Sequence, residues 1–192
     1  MIPKNTKKIM LYLLRNLDLV NINQISNILD ISVGSVFKIL KGLEENKIVL
    51  CDNLGNAKFY KINFRSEESL KLCELLLIEE RRILKGYPKI YANEIMNFEH
   101  GQLIILFGSV LKGREFNDVD VLFISKKPKQ VADFCLNLSK IRSKPIIPLI
   151  LNQEDLVKEI KNKKDAILDI IKTGIILKGE SLFLDIIKNA KQ

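Results

Sequence analysis

Apolar positions recur along the first third of the chain with the period of a helix. Ile9, Met10, Leu13, Leu14 and Leu17 share one face, and Asn5 or Thr6 is placed to cap its start. A shorter helix carrying Ile25, Ile28 and Leu29 follows the cap residues Asn21 and Asn23. After the turn Asp30-Ile31-Ser32, a third helix points Val33, Val36, Phe37, Leu40 and Leu43 inward and leaves Ser32, Ser35, Lys38 and Lys41 outside. Residues 48–51 and 58–63 have strand composition, and residues 52–56 between them (DNLGN) have the turn chemistry of a hairpin. Residues 66–85 then read as one helix, capped by Ser66, with Glu67 and Glu68 in the first turn where negative charge is favourable. Its leucines spread over more than one stripe, so it needs cover on several sides. Either it is wedged between the two domains or it pairs with its copy in a second chain; the second is favoured, which predicts a homodimer. Gly86-Tyr87-Pro88 ends this helix.

Further on, the pattern alternates. Residues 89–98 read as a helix, 103–107 as a buried strand and 121–124 as a second apolar run. Residues 129–141 read as a helix, 145–151 as a strand, 154–161 and 166–172 as helices, and 175–178 as a short apolar stretch. The first strand runs into Gly108-Ser109, and the second is preceded by Asp118 and Asp120. Residues two apart on a strand face the same side, so both carboxylates would point at one spot. Close like charges repel unless a cation sits between them. Oxygen ligands of this kind suit Mg²⁺, which takes one or two carboxylates plus substrate phosphates. The backbone N–H groups of a Gly-Ser turn supply donors for such phosphates. Lys112 and Arg114, in the same loop, are placed to add charge.

Two resemblances follow. The segment "QISNILDISVGSVFKILKGLEENKIV" is similar to the winged helix-turn-helix domains of many prokaryotic transcriptional regulators. That resemblance implies a third helix in the major groove of double-stranded DNA, with Ser35, Lys38 and Lys41 facing it. Lys58, with Lys61, would reach phosphates from the wing. The absence of arginine from this face suits phosphate positioning better than base reading. The segment "GSVLKGREFNDVDV" resembles the Gly-Ser and Asp-x-Asp signature of the minimal nucleotidyltransferases, within the DNA polymerase β superfamily. It implies an α/β nucleotidyltransferase fold, an NTP substrate, and transfer of a nucleoside monophosphate with release of pyrophosphate. By position, Gly108, Ser109 and Lys112 would hold the triphosphate, and Asp118 and Asp120 would be the catalytic carboxylates ligating two Mg²⁺ ions.

The signature also departs from that family. The stretch after Gly113 is short, Asn117 stands where serine is usual, and the strand that should carry a third carboxylate, "PIIPLIL", contains no acid. Glu154 and Asp155 come after it, where a helix begins. The expected architecture is two domains: an N-terminal winged helix (three helices plus β-hairpin) over 1–65 and an α/β nucleotidyltransferase fold over 88–192, joined by a dimerisation helix over 66–87. Three functions remain open. In the first, the protein is a DNA-binding regulator whose second domain binds NTP and Mg²⁺, as a ligand signal or to transfer a nucleoside monophosphate. Alternatively it is an antitoxin-type transferase that attaches AMP to a partner protein and regulates its own transcription. In the third reading the second domain is an inactive assembly module.

Charge narrows the partners. The 192 residues carry a net charge of +8. Residues 1–65 hold ten Lys/Arg against five Asp/Glu, residues 66–99 five against seven, and residues 100–192 sixteen against eleven. Both ends are therefore basic, which suits polyanions, although a lysine-rich composition has the same effect. The run Lys161-Asn162-Lys163-Lys164 is a candidate contact for a nucleic-acid acceptor or a solvated loop. Cys51, Cys73 and Cys135 lack zinc spacing and fit idle thiols in a reducing cytoplasm. His100, the single histidine, excludes histidine-based metal clusters. No apolar run has the length to span a bilayer, so no membrane partner is expected, and the charged first residues give no secretory signal.

Overall fold

The computed structural model describes residues 2–113 and 115–191; Arg114, singled out above for phosphate contact, lies outside the described residues. The chain divides into two compact units, Met1–Leu76 and Leu77–Gln192. Among the described residues there are nine α-helices and two sheets, a mixed α/β architecture.

The first unit contains α1 (Lys4–Arg15), β1 (Val20–Asn21), α2 (Ile22–Leu29), α3 (Val33–Glu45), β2 (Val49–Leu54), β3 (Ala57–Ile62) and the first turns of α4 (Glu67–Arg82). Helix α1 starts a turn earlier than its polar residues suggest. Pro3 supplies the first acceptor, its carbonyl taking the Lys7 N–H at 3.1 Å, so Asn5 and Thr6 lie inside the helix and cap nothing. Helix α2 is capped by Asn21, whose side chain accepts from Gln24 N at 3.0 Å while Gln24 Oε1 accepts from Asn21 N at 2.8 Å. This reciprocal box satisfies two of the N–H groups a helix start leaves orphaned. Asp30 takes the left-handed conformation (φ 53°) that turns the chain into α3, capped by Ser32.

The buried stripe of α3 is narrower than its apolar count implies. Val36 and Leu40 are fully buried, but Val33 is 49% and Phe37 48% exposed, and Ile28 on α2 is 61% exposed. Val36 and Leu40 stand one turn apart and form the line that packs inward, so Val33 and Phe37, a step round the helix, face out. The hairpin also differs from expectation. Strands β2 and β3 run on to Leu54↔Ala57, leaving only Gly55-Asn56 as the turn. Gly55 (φ 60°) gives the positive φ that two-residue hairpin turns require. Strand β1, unsuspected from sequence, pairs antiparallel with β3 to give the order β1-β3-β2. Asn63 then anchors the exit, donating to Lys47 O at 2.8 Å, and buried Ser69 donates to Ile48 O at 2.8 Å from the first turn of α4.

The second unit holds the end of α4, α5 (Gly86–Ile95), β4 (Leu103–Phe107), β5 (Val119–Ile124), α6 (Pro128–Ile141), β6 (Ile146–Leu151), α7 (Gln153–Lys161), α8 (Asp165–Thr173), β7 (Ile175–Lys178) and α9 (Glu180–Ala190). Gly86-Tyr87-Pro88 opens α5 instead of merely closing α4. Pro88 is tolerated because a first-turn N–H has no intrahelical partner to lose. Helix α9 had not been anticipated from sequence. The sheet order is β6-β5-β4-β7, with β5 and β6 parallel across α6, and β4 antiparallel to both β5 and β7. Val119, Val121 and Phe123 pack with Tyr91, Ile95, Val131 and Cys135, which places α5 and α6 on one face. Helices α8 and α9 lie against β4 on the other, where a Cβ on Gly174 would sit 2.6 Å from Ile105 Cγ2. Leu103 to Leu106 are wholly buried because both faces are covered. Pro148, which cannot donate to a ladder, sits on β6 at the sheet's edge.

Candidate active site

The two aspartates come together as their spacing requires. Val119 is fully buried among the α5–α6 core, so Asp118 before it and Asp120 after it project on the opposite face, at the amino end of β5. Val119 N donates to Pro145 O at 2.9 Å and fixes this end of the strand against the start of β6. Burial, and secondarily the charge of Asp118, push the Asp120 carboxyl above its ordinary range. Burial and a neighbouring carboxylate therefore both disfavour the charged form of Asp120. That arrangement is costly without a cation and suited to one.

Across the ladder, Phe107 pairs with Asp120, and the chain leaves β4 through Gly108 directly beside that carboxylate. Gly108 has φ 83° and ψ −157°, a region that residues with a side chain rarely adopt. A Cβ there would overlap Asp120 Oδ2 and lie 3.2 Å from its Cγ. Glycine is thus required twice, by the backbone and by the acid. Ser109 begins a 3-10 turn, Ser109–Lys112, whose leading N–H groups have no acceptor within the turn. Lys112 ends that turn, exposed and without an ion pair among the described residues. The Gly-Ser turn and the acid pair form one corner.

Strand β6 leaves that corner without a third acid. In the parallel register Asp120 pairs with Ile147, which is 47% exposed. Glu154 and Asp155 follow the far end of β6, and Asp155 is committed to the α7 cap. Its N–H donates to Asn152 Oδ1 at 2.7 Å, and its carboxylate accepts from Asn152 Nδ2 at 2.6 Å. Among the described residues no three His, Cys, Asp or Glu side chains gather as a metal site.

Residues 90–189 match the family model of the nucleotidyltransferase domain. The chain belongs to that family. No curated protein and no solved structure gives a significant match. The nucleotidyltransferase domain thus embraces the whole sheet, both helical layers and the acid corner. An oxygen-only donor pair with a phosphate-compatible turn fits the divalent ions that such domains typically use. Asp118 and Asp120 are the residues that would hold them.

The polar face on α3 is less committed. Ser35, Lys38 and Lys41 are exposed, as is Lys58 on β3. Ser35 is drawn into the helix start, its N–H and hydroxyl both meeting Ser32 Oγ, and Lys41 lies 3.9 Å from Glu45. Lys61 is taken up by Asp52 at 2.5 Å across the hairpin, which removes it from the residues free to reach phosphates. Sequence reading had missed the exposed Val33 and Phe37. Their spacing of four marked them as core, and only the folded packing shows otherwise. Burial pushes the pKa of the Cys135 thiol up to about 11, which disfavours the thiolate. No described helix is long and apolar enough to cross a membrane.

Proposed function

We propose that the protein is a DNA-binding regulator whose nucleotidyltransferase domain binds NTP with Mg²⁺ at the Gly108-Ser109 and Asp118/Asp120 corner. The carrying observation is the fit of Gly108 under the Asp120 carboxylate. An inert scaffold has no need of a strained glycine beside two repelling acids, whereas a triphosphate and its cation need both. Ser109 and the N–H groups behind it, helped by Lys112, would bind phosphate oxygens. Asp118 and Asp120 would hold the cation, which supplies charge neutralisation between phosphates and acids. With Ile147 beside Asp120, β6 brings no further carboxylate to take a proton from an attacking hydroxyl. Nucleotide binding is therefore better supported than turnover, and nucleotide is read as a signal.

What supports a winged helix in the first unit is its element order, α1, β1, α2, α3 and the β2–β3 hairpin, with β1 pairing β3. The exposed α3 face would enter the major groove, with Lys38 and Lys41 on phosphates and Phe37 or Val33 against thymine methyls. Lys58 would hold the backbone from the wing.

Calorimetric titration of ATP and Mg²⁺ into wild type and the Asp118→Asn/Asp120→Asn variant tests the nucleotide half. Magnesium-dependent binding should fall at least about 100-fold, because both charged cation ligands are lost. Unchanged magnesium-dependent affinity in a folded variant would overturn the assignment.

A further inference from the structure

At the other end of β5 from the carboxylates lies an open cavity of about 950 Å³. Ile124, one of its lining residues, is four residues beyond Asp120 on the same strand, roughly 13 Å away. The phosphate chain of one triphosphate is too short to engage both places. Lys126, Lys158 and Lys161 line the cavity against the single carboxylate of Glu154. None of these lysines has an ion-pair partner among the described residues. The basic run noted in the sequence thus divides in two. Lys164 is taken up by Glu159 at 2.5 Å, while Lys161 joins Lys158 on the same helix and Lys126, which is distant in sequence. The carboxamides of Gln102, Gln153 and Asn189 also line it without hydrogen-bond partners among the described residues, and Ile124 and Val157 add an apolar surface.

Three ammonium groups against one carboxylate leave an excess of positive charge that attracts phosphate. Unpartnered carboxamides match the donor and acceptor edges of a base, and an apolar wall suits its face. The lysines converge on one cavity and do not follow a track, as a groove for a polynucleotide backbone would require. We propose that this cavity is a second nucleotide site, taking a nucleoside phosphate without a divalent cation and separate from the acid corner.

The test uses the full chain titrated with ATP in EDTA, where the acid corner is silent. Binding is expected in wild type and, unaltered, in Asp118→Asn/Asp120→Asn, so failure at one site is distinguishable from failure at the other. Lys126→Gln/Lys158→Gln/Lys161→Gln should weaken it at least tenfold with an unshifted melting temperature, and the corresponding triple arginine variant should retain it. If the glutamine variant binds ATP as wild type does, the proposal is wrong. Inorganic triphosphate binding as tightly as ATP would overturn the nucleoside part. A single-stranded oligoribonucleotide that displaces ATP and binds more tightly would also overturn it, making the cavity part of a nucleic-acid surface.

Discussion

The acid corner and the exposed face of α3 were both picked out from short stretches of sequence, yet the structure specifies them very differently. At the corner, Gly108 and Asp120 determine each other. The acid occupies the volume of a Cβ, and the backbone takes a positive φ at the same residue. On α3 the polar residues are exposed, and Ser35 and Lys41 touch only neighbours on their own helix. A region over-determined by sterics admits almost no other residue, whereas a solvated face admits many. Residue identity is thus stronger evidence of function at the corner than on the helix.

Two glycines give the largest test of this contrast. Gly108→Ala should cost about 2 kcal/mol or more, since it forces a side chain into a disfavoured conformation and into a carboxylate. Gly34, in the first turn of α3, has nothing within 4 Å of a built Cβ. Gly34→Ala should therefore stabilise by up to about 1 kcal/mol through lost freedom of the unfolded chain. Thermal or urea unfolding of both variants measures this. Equal effects would show that the corner is no more constrained than the helix.

How much could be read beforehand follows the same division. Strand β4 was legible to the residue because a five-residue apolar run bounded by glycines has few alternatives. The acid pair was legible because spacing by two fixes a common face. The register that sets Ile147 beside Asp120 was not legible, since pairing depends on contacts between residues far apart in sequence. Helix α9 was missed despite its apolar period, and β1 is too short to leave a pattern. The outward turn of Val33 and Phe37 arises from how the other elements of the unit pack on α3, which no period within α3 records.

Ile147→Asp sharpens the contrast from the opposite side, because it adds an acid where the register leaves room. Magnesium affinity should rise about tenfold, as a third oxygen ligand joins two. Metal-free stability should fall, because one more carboxylate joins a repelling pair. Isothermal titration with Mg²⁺ and melting in EDTA read the two effects. If affinity does not change, Ile147 does not neighbour the cation site and the register argument fails.

The pH dependence of the corner is smaller. The Asp120 carboxyl titrates above its ordinary range in the folded chain, so the folded state holds a proton that the unfolded state has already released. Metal-free stability should therefore fall as pH rises from the ordinary carboxylate value through the raised one, and remain lower above it. Asp120→Asn should remove that dependence and raise the melting temperature near neutrality by about 2 °C or less, given roughly 2–4 °C per kcal/mol at this size. Mg²⁺ binding to wild type should strengthen across the same pH window, as proton and cation compete for one oxygen.

The smallest effects lie on the basic face. Lys38→Ala and Lys58→Ala each remove one exposed ammonium, so each should weaken DNA binding modestly and lower the slope of log affinity against log salt by about one. Lys61→Ala removes a lysine already held by Asp52. It should leave the slope unchanged, because an internally neutralised cation displaces no counterion from DNA. Electrophoretic shifts at several salt concentrations on one A·T-rich duplex separate the three variants. Equal slopes for Lys58→Ala and Lys61→Ala would mean that the hairpin does not touch the backbone. The face on α3 would then have to bind without a wing, or serve a protein partner instead.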